Sequence, residues 1–124
     1  MNVSSIAAFL PGPLMAVYYA SKAYVLSFSE ALDNEVSGSG VTVTALCPGP
    51  TKTEFQVRAG IENARLFQRS IMSSQQAARI GYRAMMRGRR TVVTGFSNKL
   101  GVFGMRFLPR WVTAGMSKKL NESR

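Results

Sequence analysis

The 124-residue chain is 46% hydrophobic and 18% charged, with a mean hydropathy of +0.02, which excludes a disordered tail and fits a globular domain or part of one. It has no histidine and a single cysteine, so histidine acid/base chemistry, a disulfide framework and a cysteine-rich metal centre are excluded. The charge of +10 is uneven: residues 1–57 carry two lysines and four acids, residues 58–124 fourteen Lys/Arg and two acids.

Met1-Asn2-Val3-Ser4-Ser5 lacks the basic start of a signal peptide, and the apolar run from Ile6 to Leu10 is broken by Pro11-Gly12-Pro13. No apolar run reaches the roughly 20 residues of a membrane span. Asn2-Val3-Ser4 reads as a short extended segment, followed by a Pro/Gly-punctuated loop. Over 17–37 the pattern predicts a helix, with Val25, Phe28, Leu32 and Val36 inward, Ala20, Ala23 and Ala31 widening that stripe, and Glu30, Asp33 and Glu35 on other faces. Ser37-Gly38-Ser39-Gly40 ends it. The Val/Thr-rich run 41–47 predicts a buried strand that contains Cys47 and stops at Pro48-Gly49. A buried lone thiol fits a reducing, cytoplasmic setting.

Residues 51–69 read as mixed loop and short helix. A firmer helix is expected over 74–86, with Ser73 or Ser74 as its cap, Ala77, Ala78, Ile80, Gly81, Ala84 and Met85 inward, and Arg79, Arg83 and Arg87 outward. Thr91-Val92-Val93-Thr94 forms another short strand closed by Gly95; the tail then alternates glycine, apolar and basic residues, with a closing helix over 111–120. This alternation predicts an α/β fold, a parallel sheet of about three strands flanked by helices. A first strand at residue 1 suggests a sheet cut through its middle.

Tyr18 and Lys22 stand four apart at the start of the long helix, so their side chains emerge on one face. Tyr19 and Tyr24 are followed at that spacing by Ala23 and Phe28, so they have no such partner. Ser5 lies thirteen residues before Tyr18; Tyr18-Tyr19-Ala20-Ser21-Lys22-Ala23 and Pro48-Gly49-Pro50-Thr51-Lys52-Thr53 follow in order. Together with Asn2-Val3-Ser4-Ser5, these segments resemble the short-chain dehydrogenase/reductase family: its strand-end motif, its serine-to-tyrosine separation, its Tyr-x-Ala-Ser-Lys-Ala helix and its Pro-Gly-x-x-x-Thr turn. The likeness covers residues 2–55; the tail to about residue 120 is more loosely similar to bacterial members.

The resemblance implies the C-terminal half of a Rossmann-type doubly wound sheet. It would comprise a catalytic strand-helix-strand region over 1–57 and a substrate-loop and basic helical region over 58–124. It implies NAD- or NADP-dependent carbonyl reduction or alcohol oxidation on a small-molecule substrate. Tyr18 would be the proton donor and Lys22 would favour its phenolate and hydrogen-bond the nicotinamide ribose, while Ser5 would hold the substrate oxygen. Pro48, Gly49, Thr51 and Thr53 would cover the nicotinamide. Plain structural readings stand beside these: Tyr18 as a packed helix residue, Lys22 as a solvated cation, Ser5 as a local cap and Thr53 as the cap of a following turn.

The sequence also departs from the family. No Gly-rich phosphate loop is matched, and the glycines at 95, 101 and 104 follow the catalytic helix. The family's further catalytic asparagine has no counterpart, since Asn2 lies on the strand itself. Two expectations follow: a truncated piece of an oxidoreductase, inactive alone and homo-oligomeric at full length, or a non-catalytic short protein acting as an interaction module through its first strand. The basic half reads as a solvated face of Arg-rich helices, with no nucleic-acid module signature to support a nucleic-acid partner. The tail from Gly101 to Val112 reads either as pocket wall and dimer surface or as a peripheral membrane contact, and the resemblance favours the former.

Overall fold

A computed structural model describes residues 1–58, 60 and 71–122. Three short strands, β1 (Asn2–Val3), β2 (Ala45–Cys47) and β5 (Thr91–Val93), form a parallel sheet in the order β1-β2-β5. A smaller parallel ladder joins β3 (Thr51–Lys52) to β4 (Met72–Ser73). Between the strands run a 3-10 turn (Ile6–Phe9) and the helices α1 (Ala16–Glu35), α2 (Phe55–Arg58) and α3 (Ser74–Met86). After β5 come α4 (Phe96–Met105) and α5 (Arg110–Asn121). This is the α/β architecture expected from the alternation of the sequence.

Strand alternation puts Ala45 and Cys47 on one face of β2 and Leu46 on the other. Leu26 of α1 packs with Ala45 and Cys47. On the opposite face, a side chain at Gly81 of α3 would come within 2.7 Å of Leu46 Cδ2. The two helices therefore cover the two faces of the sheet, and Gly81 is what lets α3 approach. Ser73 caps α3 by accepting from Gln76 N while the Gln76 side chain accepts from Ser73 N, a reciprocal capping box.

Several expectations are corrected. The predicted strand 41–47 contracts to Ala45–Cys47 because side chains satisfy the backbone before it: Asp33 Oδ1 accepts from Val43 N at 3.0 Å. The inward face of α1 is Tyr19, Leu26, Ser29 and Asp33, whereas Phe28 is 46% exposed and stacks on Tyr24. The buried polar residues of that face are satisfied. Ser29 Oγ accepts from Asn2 Nδ2 and donates to Val25 O, and Asp33 pairs with Arg90 Nε at 2.7 Å. Asp33 is thus buried rather than outward. In α3, Ala78 is exposed. The sequence reading also missed α4, β3 and β4. Part of the mixed segment over 51–69, and part of the substrate loop within it, lies outside the described residues.

Candidate active site

The first three residues of the motif sit where β1 meets α1. Asn2 N donates to Thr44 O and Ser4 N to Leu46 O, so β1 and the residues after it follow β2 to its carboxyl end. Buried Ser4 donates from Oγ to Lys22 O at 2.7 Å, and Lys22 Nζ donates to Val3 O at 3.3 Å. These two bonds clamp the strand end to the first turns of α1. Ser5 caps the following 3-10 turn, its Oγ accepting from Ala7 N at 3.1 Å. The local-cap reading of Ser5 is therefore part of the geometry, and a hydroxyl accepting one N–H still has its proton and a second lone pair for a ligand.

Tyr18 and Lys22 emerge from one face of α1 as their spacing requires, with Lys22 Nζ 5.7 Å from the centre of the Tyr18 ring. The ring of Tyr18 meets that of Tyr19 edge-on at 5.9 Å. Tyr19 is buried, though it too borders the space beside Tyr18. Its hydroxyl donates to Asn121 Oδ1 at 3.0 Å, and burial raises its pKa above the usual phenol value, against the lowering effect of that bond.

From β2 the chain enters Pro48-Gly49-Pro50. Gly49 N donates to Thr94 Oγ1 at 3.2 Å, and Thr51 Oγ1 donates to Gly49 O at 2.9 Å. Asn98 of α4 donates to Thr94 O at 2.8 Å and sits so close that a Cβ on Gly49 would fall 2.1 Å from its Nδ2. Gly49 is required by the seating of α4 on the turn. The signal for this was in the sequence, as a glycine between two prolines, but its partner Asn98 was not legible.

Both strand ends open into one cleft of about 400 Å³, a size within the roughly 300–1,000 Å³ of small-molecule sites. Ser5, Tyr18, Lys22, Pro48, Gly49, Thr51 and Thr53 all line it. The structure thus brings every residue of the sequence-predicted site to one place, at the carboxyl edge of a parallel sheet where α/β folds bind ligands. The rest of the lining is largely apolar and includes Ile6, Leu10, Met15, Met105 and Leu120.

The sequence reading missed the supports. The loop before α1 is pinned by α5: Ser117 Oγ donates to Pro11 O, and Asn121 Nδ2 donates to Pro13 O at 2.9 Å. Leu14, in this loop, is held at a φ of 70°, a conformation a branched side chain adopts only when its surroundings impose it. No spacing rule links residues a hundred positions apart. Gly12 lies against the Tyr19 ring, leaving no room for a side chain.

The site's residues fit the nicotinamide end of a dinucleotide. Hydroxyls from Ser5 and Tyr18, the Lys22 ammonium and the Pro-Gly turn surround an apolar-walled space, the donor set that an amide, a ribose and a carbonyl need.

The sequence model of the short chain dehydrogenase family matches residues 1–65. Sulfoacetaldehyde reductase from Chromohalobacter salexigens is 49% identical over 65 residues, covering 52% of this chain and 26% of that protein. The chain thus spans about a quarter of that relative's length. Among solved structures, a short-chain dehydrogenase from Sphingobium yanoikuyae in complex with NADPH superposes with a TM-score of 0.67 at 28% identity, over 85% of this chain and 41% of that one. An alcohol dehydrogenase from Comamonas testosteroni specific for bulky-bulky ketones shares the fold, with a TM-score of 0.56 at 20% identity over 87% and 46% of the two chains.

Proposed function

The chain belongs to the short-chain dehydrogenase family, and on that premise we propose that it carries the reacting half of an NAD(P)-dependent oxidoreductase acting on a small carbonyl compound or the corresponding alcohol. The observation that carries this reading is the convergence of Ser5, Tyr18 and Lys22 on one apolar cleft beside the Pro48-Gly49 turn.

The cofactor, when bound, supplies or accepts the hydride. Everything else falls to this chain. Ser5, anchored by Ala7 N, offers its hydroxyl proton to the substrate oxygen and stabilises the charge that gathers there. Tyr18 gives that oxygen its proton in reduction and takes it back in oxidation. Lys22 stabilises the phenolate by its charge; its backbone is fixed by Ser4 and its ammonium by Val3 O. The turn from Pro48 through Thr53 would hold the carboxamide, and Lys22 the nicotinamide ribose. The apolar walls exclude water and favour substrates with apolar substituents. The described lining offers Lys22 as its one cation, which gives the sulfonate of a sulfoacetaldehyde-type substrate weak support. In this reading the 124 residues have little hold on a dinucleotide by themselves, because their sequence contains no match to the family's glycine-rich phosphate loop.

The test is a panel of apolar aldehydes and ketones assayed with the complete gene product, following nicotinamide absorbance with NADH and NADPH in turn. Tyr18→Phe is expected to lower kcat by roughly 10²- to 10⁴-fold, the usual contribution of a positioned acid/base. A Tyr18→Phe enzyme as active as the parent would end the reading.

A further inference from the structure

The cleft uses only the inner side of the C-terminal helices, through Met105 and Leu120. Their outer side is unaccounted for. No residue of α4 is buried. Phe96, Leu100, Phe103 and Phe107 follow one another at steps of four, three and four, so they form a single apolar stripe at helical spacing. The stripe faces solvent: Phe96 is 82% exposed and Phe107 74%, and Trp111, at the start of α5, is 78% exposed. Phe103 and Phe107 meet edge to face at 5.4 Å, which carries the stripe past the end of α4. Such a patch on a soluble surface marks something it binds.

The charges beside it narrow the occupant. Lys99 and Arg106 stand seven apart, each one residue before a member of the apolar stripe, Arg110 opens α5 just before Trp111, and all three cations are exposed. Residues 63–121 contain no aspartate or glutamate. A second copy docking this face on itself would set cations against cations, and neither α4 nor α5 carries a carboxylate of its own to relieve them. A partner that accepts buried Phe and Trp side chains beneath a band of phosphate or carboxylate is an anionic lipid surface. Aromatics sink to the acyl boundary there, and arginine and lysine stems lie flat with their heads among the headgroups.

We infer that the outer face of α4 and the start of α5 seat this protein on anionic membranes, as a peripheral contact. No helix among the described residues is long and apolar enough to cross a membrane. The wall that lines the cleft, through Met105 and Leu120, and the face that meets lipid belong to the same helices. The docking itself does not depend on hydride transfer.

The experiment is flotation of the protein with vesicles of phosphatidylcholine alone and of phosphatidylcholine mixed with phosphatidylserine. Recovery with the mixed vesicles and not with the neutral ones is expected. Phe107→Ser combined with Trp111→Ser should lower the partition by at least about tenfold. Replacing Lys99, Arg106 and Arg110 by glutamine should lower it comparably while leaving the aromatics in place, and both variants should keep the parent's circular dichroism. The proposal is overturned by absence from both vesicle types or by equal recovery with neutral vesicles. It is overturned equally by a dimer in sedimentation velocity that the aromatic variant abolishes without any flotation, or by tight binding to a single-stranded oligonucleotide in place of lipid.

Discussion

Cys47 has no access to solvent and lies against Leu26 and Ala45, beneath the turn that forms the cleft. Burial pushes its thiol pKa up from 9.0 to about 11, opposed only in part by a hydrogen bond with Ser4. Between those two values the fold keeps a proton that the unfolded chain gives up. The thiol's contribution to stability is therefore complete below pH 9 and is lost as pH rises toward 11. At 1.36 kcal/mol per unit the loss is on the order of 2 kcal/mol. Urea unfolding across this range should show the parent losing stability more steeply than Cys47→Ala, in which any packing defect is a constant offset. Parallel slopes would mean that the thiol titrates alike in both states. At this scale the sequence was informative where chemistry is encoded in residue type and spacing. Tyr18 and Lys22 were legible together because helix geometry makes a four-residue step a neighbour, whereas Ser5 joined them only through the family resemblance. Asp33 was misread because a carboxylate counts as outward in any hydropathy pattern, and its partner Arg90 lies 57 positions away.

Among the elements, α3 was legible to its end residues because a serine cap, an apolar face and an opposite face of arginines agree. The stripe of α1 was legible in existence but not in phase, since Ser29 and Asp33 on its buried face are satisfied by hydrogen bonds that hydropathy does not register. Helix α4 escaped because its glycines at 101 and 104 weaken a helical pattern and its apolar residues meet no core. The element most consequential for the site is α5, whose Asn121 accepts from Tyr19 and donates to Pro13 O. Asn121→Ala removes both bonds and leaves the buried Tyr19 hydroxyl without this acceptor, which should cost about 2 kcal/mol. Tyr19→Phe removes the group that needed it. The double variant should therefore lose less than the two singles added together in urea unfolding. Additive losses would show that the contact is not energetically shared.

For the molecule as a whole, the order of strands and helices was sufficient to predict a parallel sheet covered on both faces, because a parallel connection requires a crossover and the crossover helices must cover the sheet. The small β3–β4 ladder was not legible, since two-residue strands leave no periodicity to read. The segregation of charge also acquires a structural meaning. The net-negative stretch over residues 1–57 contributes the serine, tyrosine and lysine of the cleft, while the basic remainder contributes one wall of it and an outward face. A consequence for ligand binding follows from how a dinucleotide is held. On the proposed reading the nicotinamide end would meet hydroxyls, an amine and a proline-glycine turn in this cleft, whereas the diphosphate in such folds is gripped by glycine-rich backbone at a helix N-terminus. No match to that loop occurs in the 124 residues. Lacking that grip, the cleft's few polar contacts must offset the loss of translational and rotational freedom on binding unaided. Titration of the 124-residue chain with NADH or NADPH, followed by nicotinamide fluorescence, should therefore give no saturable signal into the millimolar range. Saturation at micromolar concentration would show that the cleft alone suffices, and would shift the weight of cofactor recognition from the diphosphate to Lys22 and the Pro48-Gly49 turn.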